Sequence, residues 1–245
     1  MRFAVIADVH GNALALEAVL ADIDGQGIRD ILNLGDHLSG PLEAARTADL
    51  LMARNLPSVA GNHDRYLIDR PVGDMHDWET DAYRQLSPAH LDWLRGQPFS
   101  LAWRDVAYLC HATPADDNRY WLQTVSPDGI VHAAAYDAIA GLAQAIPLPV
   151  LLCGHSHLPG TVRLDDGRLI VNPGSVGCPA YDDDLPVYHR VETGSPFASY
   201  AIVGEGAAGW EATFRLVGYD HLAMARLAAE RGRHDWARAL STGRL

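Results

Sequence analysis

The sequence predicts a mixed α/β fold, and three observations carry that prediction. Short apolar runs alternate with helix-period segments over the first 60 residues, the rhythm of parallel strands joined by crossover helices. After residue 160 hairpin signals dominate, so antiparallel pairs are expected beside the parallel ones. With 245 residues, 48% of them hydrophobic and 20% charged, the chain suits one large domain with a substantial core and is short for two.

The elements follow in order. Residues 2–7 read as a buried strand, and Asn12 then caps a helix from Ala13 to about Gln26, apolar at Leu14, Leu16, Val19, Leu20 and Ile23. Gly27 ends it, and Asp30–Leu34 is the next strand. Pro41 stands at the first position of a second helix running to about Arg54, and Pro57–Ala60 is a third strand. Residues 64–97 break the rhythm: they are polar, rich in Asp, His, Trp and Tyr, with helical pieces at Asp77–Gln85 and Pro88–Arg95. They read as an insertion lying over the strand ends as a partial cap on a single domain spanning 1–245. Phe99–Trp103 and Val106–Cys110 form a hairpin about Asp105. A helix at about Ile130–Ala145 and the apolar strand Pro149–Cys153 come next. A second hairpin, Thr161–Leu164 with Arg168–Val171, turns at Asp165-Asp166-Gly167. Strands at about Ser199–Val203 and Ala212–Val217 precede a closing helix from His221 to about Leu240.

Five short clusters stand at the ends of strand-like runs: Asp8-Val9-His10, Gly35-Asp36, Gly61-Asn62-His63-Asp64, Cys110-His111 and Gly154-His155-Ser156-His157. In an extended chain residues i and i+2 point to one side, so Asp8 with His10, and His155 with His157, can each reach one ion. One such pair is weak evidence; two pairs with Gly-Asp and Gly-Asn-His between them are strong. The glycines permit sharp turns and close backbone approach. Oxygen and nitrogen donors without clustered thiolates suit manganese, iron, cobalt or zinc rather than a cysteine-bound structural zinc.

These motifs, in this order, resemble the calcineurin-like metallophosphoesterase family over essentially the whole chain. Asn172-Pro173-Gly174-Ser175-Val176-Gly177 and Tyr219-Asp220 resemble segments of its small bacterial members. The resemblance implies a four-layer α-β-β-α sandwich, two mixed β-sheets flanked by helices in the metallo-dependent phosphatase fold. It implies two divalent or mixed-valence metal ions, manganese or iron first, with zinc, cobalt or nickel as substitutes. Asp8, His10 and His157 would hold one ion, Asn62, His111 and His155 the other, and Asp36 would bridge them. His63 would assist the leaving group while Asp64 orients its ring, and a metal-bridging hydroxide would attack a small phosphodiester in line.

Alternatives are carried beside this reading. A second enzyme reading is a phosphomonoesterase, including a phosphoprotein phosphatase; the phosphoprotein branch usually has Asp-Arg-Gly shortly after its Gly-Asp, but here the stretch is His37-Leu38-Ser39-Gly40-Pro41, without that arginine. A non-catalytic metal-binding scaffold would have lost ligands or the motif histidine, and this chain keeps all of them. His37 is weighed at one chance in four of touching substrate or nearby water. Arg65, Arg119 and Arg190 are candidate phosphate contacts against a solvated default. Trp78, Trp93 and Trp121 are candidate pocket walls against ordinary packing, and Asp182-Asp183-Asp184 reads as a solvated acidic loop. Ala180 stands where relatives often carry a basic residue, with Arg190 as a speculative replacement.

The net charge of −12, to which two divalent ions would add only about four positive charges, disfavours a long nucleic acid held by its backbone and leaves room for a small phosphorylated substrate. All 19 basic residues are arginine, which reads as compositional bias. No apolar run approaches a membrane span and no signal-peptide pattern opens the chain. Cys110, Cys153 and Cys178 read as buried free thiols, so a cytoplasmic protein without membrane association is expected, with a homo-oligomer left open.

Overall fold

Apolar residues of strand β1 (Arg2–Ile6) alternate between two separate cores, and that alternation sets the layering of the molecule. A computed structural model describes all 245 residues. Phe3 and Val5 face one way, toward Leu109, Val150, Leu152 and Val171 of a second sheet. Ala4 and Ile6 face the other way, toward Leu16, Val19 and Ile23 of helix α1 (Ala13–Gly25) and Ala48 and Leu51 of helix α2 (Ala44–Arg54). On the far side, Leu151 and Ile170 pack against Ile139 and Ala143 of a later helix. The result is the four-layer α-β-β-α arrangement that the resemblance implied.

The first sheet has the order β13-β12-β1-β2, where β2 is Ile31–Asn33, β12 is Ala198–Gly206 and β13 is Gly209–Val217. β1 runs parallel to β2 and antiparallel to β12. The second has the order β3-β4-β7-β9-β8, comprising Ser100–Trp103, Ala107–Cys110, Val150–Leu152, Leu169–Asn172 and Gly160–Arg163 respectively. Its three central strands are parallel and its edges antiparallel, so both sheets are mixed. The β3–β4 hairpin turns at Arg104 and Asp105, both at positive φ.

Several boundaries differ from expectation, each for a local reason. α2 starts at Ala44 rather than Pro41, because the Pro41 and Leu42 carbonyls accept from Arg231, and Leu42 also from Gln85, instead of opening a helical turn. The third strand shrinks to one bridge, Asn33 with Ser58. Residues 130–133 are not helical: β5 (Gln123–Val125) and β6 (Val131–Ala133) form a hairpin, and α6 covers only Tyr136–Ala143. Asp182 and Asp183 lie in a strand, β10 (Ala180–Asp183), paired with β11 (His189–Glu192), so they are not simply a loop. The closing helix is two, α7 (His221–Glu230) and α8 (His234–Thr242), broken where Gly232 takes φ +77°. Within 64–97 the expected pieces appear as α4 (Asp77–Tyr83) and α5 (Pro88–Arg95). A further helix, α3 (Asn62–Asp69), opens on the motif itself.

Gly35, two residues after β2, is at φ +98°, and a Cβ there would lie 2.5 Å from the Gly61 nitrogen. Strain and crowding together are expected to make Gly35→Ala less stable by about 3 kcal/mol. Urea denaturation checks this; a midpoint equal to the parent's would mean that the crossing of the two loops tolerates a methyl group.

Candidate metal centre

The clusters sit where strands of both sheets end. Asp8 and His10 follow β1, Asp36 follows β2, His111 follows β4, and His155 and His157 follow β7. Asn62 and His63 begin α3. The i, i+2 pairs converge, but not as extended chain: Asp8, His10, Asp36, His155 and His157 all take left-handed backbone, with φ of 56, 49, 53, 67 and 57°. Aspartate tolerates that region better than most residues, yet it costs an L-residue roughly 1–2 kcal/mol. A ladder of backbone bonds holds the first two loops in place, Asp8 N–H to Gly35 O, His10 N–H to Asp36 O and Gly11 N–H to His37 O, each 3.0 Å. Gly61 and Gly154 serve close approach rather than positive φ, since a Cβ would meet the Asp36 carboxylate in one case and Ala7 and Asp8 in the other.

Two groups of donors result. Asp8, His10 and His157 have ligand atoms within 4.8 Å of one another, and so do Asp36, His111 and His155. The Asp36 Oδ2 lies between the groups, 3.7 Å from His10 Nε2 and 3.3 Å from His111 Nε2. Its Oδ1 accepts the His63 N–H at 3.0 Å. Asn62 Oδ1 stands 3.0 Å from His111 Nε2, on the side of the second group. All seven expected ligands are therefore brought together, and all are buried.

The donor set fits metal ions for a reason beyond proximity. Each histidine has its outer nitrogen on a backbone carbonyl, which fixes the ring and its tautomer. His10 Nδ1 donates to Ser39 O (2.8 Å), His111 Nδ1 to Leu34 O (2.8 Å) and His157 Nδ1 to Cys178 O (2.7 Å). His155 is turned the other way, Nε2 to Asn118 O at 3.0 Å, so its Nδ1 is the nitrogen left for an ion. The Asn172–Cys178 segment buckles these loops together: Asn172 Nδ2 donates to Gly154 O and Ser175 Oγ to Asp8 O.

Charge is concentrated here. Burial pushes His10 down to about 4 and His155 down to about 3. Burial also opposes the charged forms of His111 and His157, but Asp36 and Asp8 overcome it, holding His111 up at about 9 and His157 well above its ordinary value. Both carboxyls are correspondingly held below the usual range: burial works against them, and His157 at Asp8 and His111 at Asp36 prevail. A ring with a raised pKa keeps its proton below that pKa and must lose it to bind metal. Loading Mn²⁺ onto EDTA-stripped protein at pH 7 is therefore expected to release protons, with affinity rising as pH approaches about 9. Calorimetry in buffers of different ionisation enthalpy measures this; heats independent of the buffer would contradict it.

A cavity of about 970 Å³ opens over the donors, with His10, Asp36, Asn62, His63, His155 and His157 among its lining residues. Trp78, Trp236 and Tyr120 contribute aromatic wall, Trp121 also lines it, and Arg119 is the lining arginine that has no carboxylate partner. Trp93 is not at the cavity; it packs edge-on against His37. Arg65 is committed to Asp117 (2.7 Å), and Arg190 donates to the lining Tyr188 hydroxyl without itself lining the cavity, so it does not replace the basic residue missing at Ala180. Asn12 caps α1 and bonds Gly177 O and Tyr219, and that helix start is not among the lining residues. The three cysteines are buried and free.

Asp64 does not orient His63. Its carboxylate accepts the backbone N–H groups of Asp36, His37 and Gly61, each at 2.9 Å, and pairs with His37 Nδ1 at 2.7 Å. His37 is thus a fully buried prop beneath the Asp36 loop rather than a substrate contact. The carboxylate paired with the His63 ring is Glu79, whose Oε1 lies 3.5 Å from Nδ1. In sequence Glu79 looks like an ordinary acidic residue in the first turn of a helix, and nothing pairs it with His63. The phenols Tyr120 and Tyr181 also escaped sequence reasoning; they bond one another beside His155 and His157.

The pattern of the calcineurin-like phosphoesterase superfamily domain matches residues 1–195. An uncharacterized protein of Methanocaldococcus jannaschii is 28% identical over 202 residues, covering 72% of this chain and 76% of that one. Among solved structures, a metallophosphoesterase from Sphaerobacter thermophilus aligns at TM-score 0.75 and 27% identity, over 99% of this chain and 100% of its own. A hypothetical protein from Pyrococcus horikoshii aligns at TM-score 0.73 over 99% and 98%; at 17% identity this is a likeness of fold.

Proposed function

The chain belongs to the calcineurin-like phosphoesterase superfamily, and on that premise we propose that it is a two-metal phosphohydrolase that cleaves a small phosphodiester. The observation that carries the reading is the pair of donor groups sharing Asp36 at the base of a cavity that His63 also lines. Bound there, two divalent ions would supply Lewis acidity toward phosphoryl oxygens and a water of lowered pKa. The protein's own part is to hold the centre rigidly and to present His63 to the leaving group. Burial works against a charged His63, but Asp36 and Glu79 outweigh it and raise its pKa, which suits a group that hydrogen-bonds or protonates a departing alkoxide.

The diester preference is supported by the charges around the cavity. Arg70 and Arg233 are paired with Glu79 and Asp235, which leaves Arg119 as the lining arginine without a carboxylate partner, while Asp116, Asp182, Asp183 and Asp184 also line the cavity. Such walls repel a monoester dianion more than a diester monoanion. The aromatic wall accommodates an organic substituent, and in this reading residues 64–97 form a partial cap over a small phosphorylated substrate. No helix is long and apolar enough to cross a membrane, and cytoplasmic action is part of the proposal.

The test is turnover of bis-aryl and mono-aryl forms of one phosphate with Mn²⁺. Faster diester cleavage, by roughly tenfold or more in kcat/KM, is expected. Faster monoester cleavage would reverse the preference, and hydrolysis of neither form nor of other phosphate esters would remove the catalytic reading.

A further inference from the structure

Glu79 is fully buried on α4, a helix outside all five motifs, and a buried carboxylate is costly unless its lone pairs are used. Its Oε2 accepts the His76 N–H at 2.9 Å and faces Arg70 Nη1 at 3.2 Å. Its Oε1 lies 3.5 Å from His63 Nδ1, a buried nitrogen with no hydrogen-bond partner of its own, and accepts from Arg70 Nη1 at 3.4 Å. The other edge of that ring belongs to the cavity wall, where the side chain is 25% exposed. A carboxylate on one nitrogen with an open cavity on the other is the arrangement that fixes a ring's orientation and tautomer for work at the open side.

We propose that Glu79 is the positioning residue for His63, accepting a hydrogen bond from Nδ1 so that Nε2 is aimed at the leaving group. The inference rests on His63 having the leaving-group role given above. Glu79 is neither in the donor groups nor on the cavity wall, so it reaches the site through its partners, of which His63 stands beside the donor groups and Arg70 only at the cavity wall. Its neighbours His76 and Trp78 do line the cavity, as does its partner Arg70. The short helix that meets the organic part of the substrate therefore also aims the histidine, which couples the choice of leaving group to the fit against that wall.

The test compares the Mn²⁺-loaded parent, Glu79→Gln, His63→Ala and the double variant on diesters with good and poor leaving groups. Glu79→Gln is expected to lower kcat about tenfold with little change in KM, and more for the poor leaving group. Metal content should match the parent, and the double variant should be no slower than His63→Ala. Losses that multiply in the double variant, or that are equal across leaving groups, would overturn the proposal. If His63→Ala itself leaves turnover unchanged, the leaving-group reading fails first, which is a separate result. Nitrogen NMR of the Zn²⁺-loaded parent needs no Glu79 variant: a proton on Nδ1 of His63 is expected, and its absence would overturn the proposal whether or not Glu79→Gln folds.

Discussion

Asp36→Ala is expected to abolish binding of both metal ions and to lower kcat/KM by about 10³-fold or more. The reason lies in the position of one oxygen: Oδ2 is within 4 Å of ring nitrogens from both donor groups, so truncation takes a ligand and a negative charge from each. The remaining carboxylate, Asp8, serves only the first group. Truncation also frees the His63 N–H that Oδ1 holds, loosening the start of α3. Elemental analysis after dialysis measures occupancy, and turnover with excess Mn²⁺ measures what added metal restores. Retention of two ions per chain would show that Asp36 is dispensable to the centre.

His63→Ala is expected to leave metal content intact and to cost about 10²–10⁴ in turnover of a diester whose leaving group is a poor one. His63 appears in neither donor group and is 25% exposed to the cavity, so its removal takes no ligand. The loss should shrink for a nitrophenyl leaving group, which departs without needing a proton. Metal loss on substitution would instead place His63 among the ligands. Unchanged turnover on both esters would reject its catalytic role.

Much of the centre was legible in the sequence because ligands have to be specific side chains at strand ends, and strand ends are marked by apolar runs that stop at Gly-Asp, Gly-Asn-His or Gly-His. The mixed sheets were legible from the switch between crossover and hairpin spacing. What holds the ligands was not. His37 and Asp64 form a buried pair across 27 residues, and Glu79 reaches His63 from a helix of ordinary appearance. Neither contact has a periodicity, because each exists only once the loops are packed. The left-handed backbone of five candidate ligand positions was equally hidden, since glycine is the residue that usually announces it and none stands at these five. Pro41 and residues 130–133 misled for the same reason: distant groups, Arg231 and the β5–β6 pairing, decided their conformation.

Each donor group draws on both sheets. Asp8 and His10 with His157, and Asp36 with His111 and His155, join the ends of β1 and β2 to the ends of β4 and β7. Unfolding must separate those sheets, and so must release whatever ions the groups hold. Metal concentration then becomes a variable of thermal stability: an ion at 1,000 times its dissociation constant adds about 4 kcal/mol against unfolding. The melting temperature should accordingly climb with Mn²⁺ in two increments, and a melting curve becomes an occupancy assay that needs no substrate.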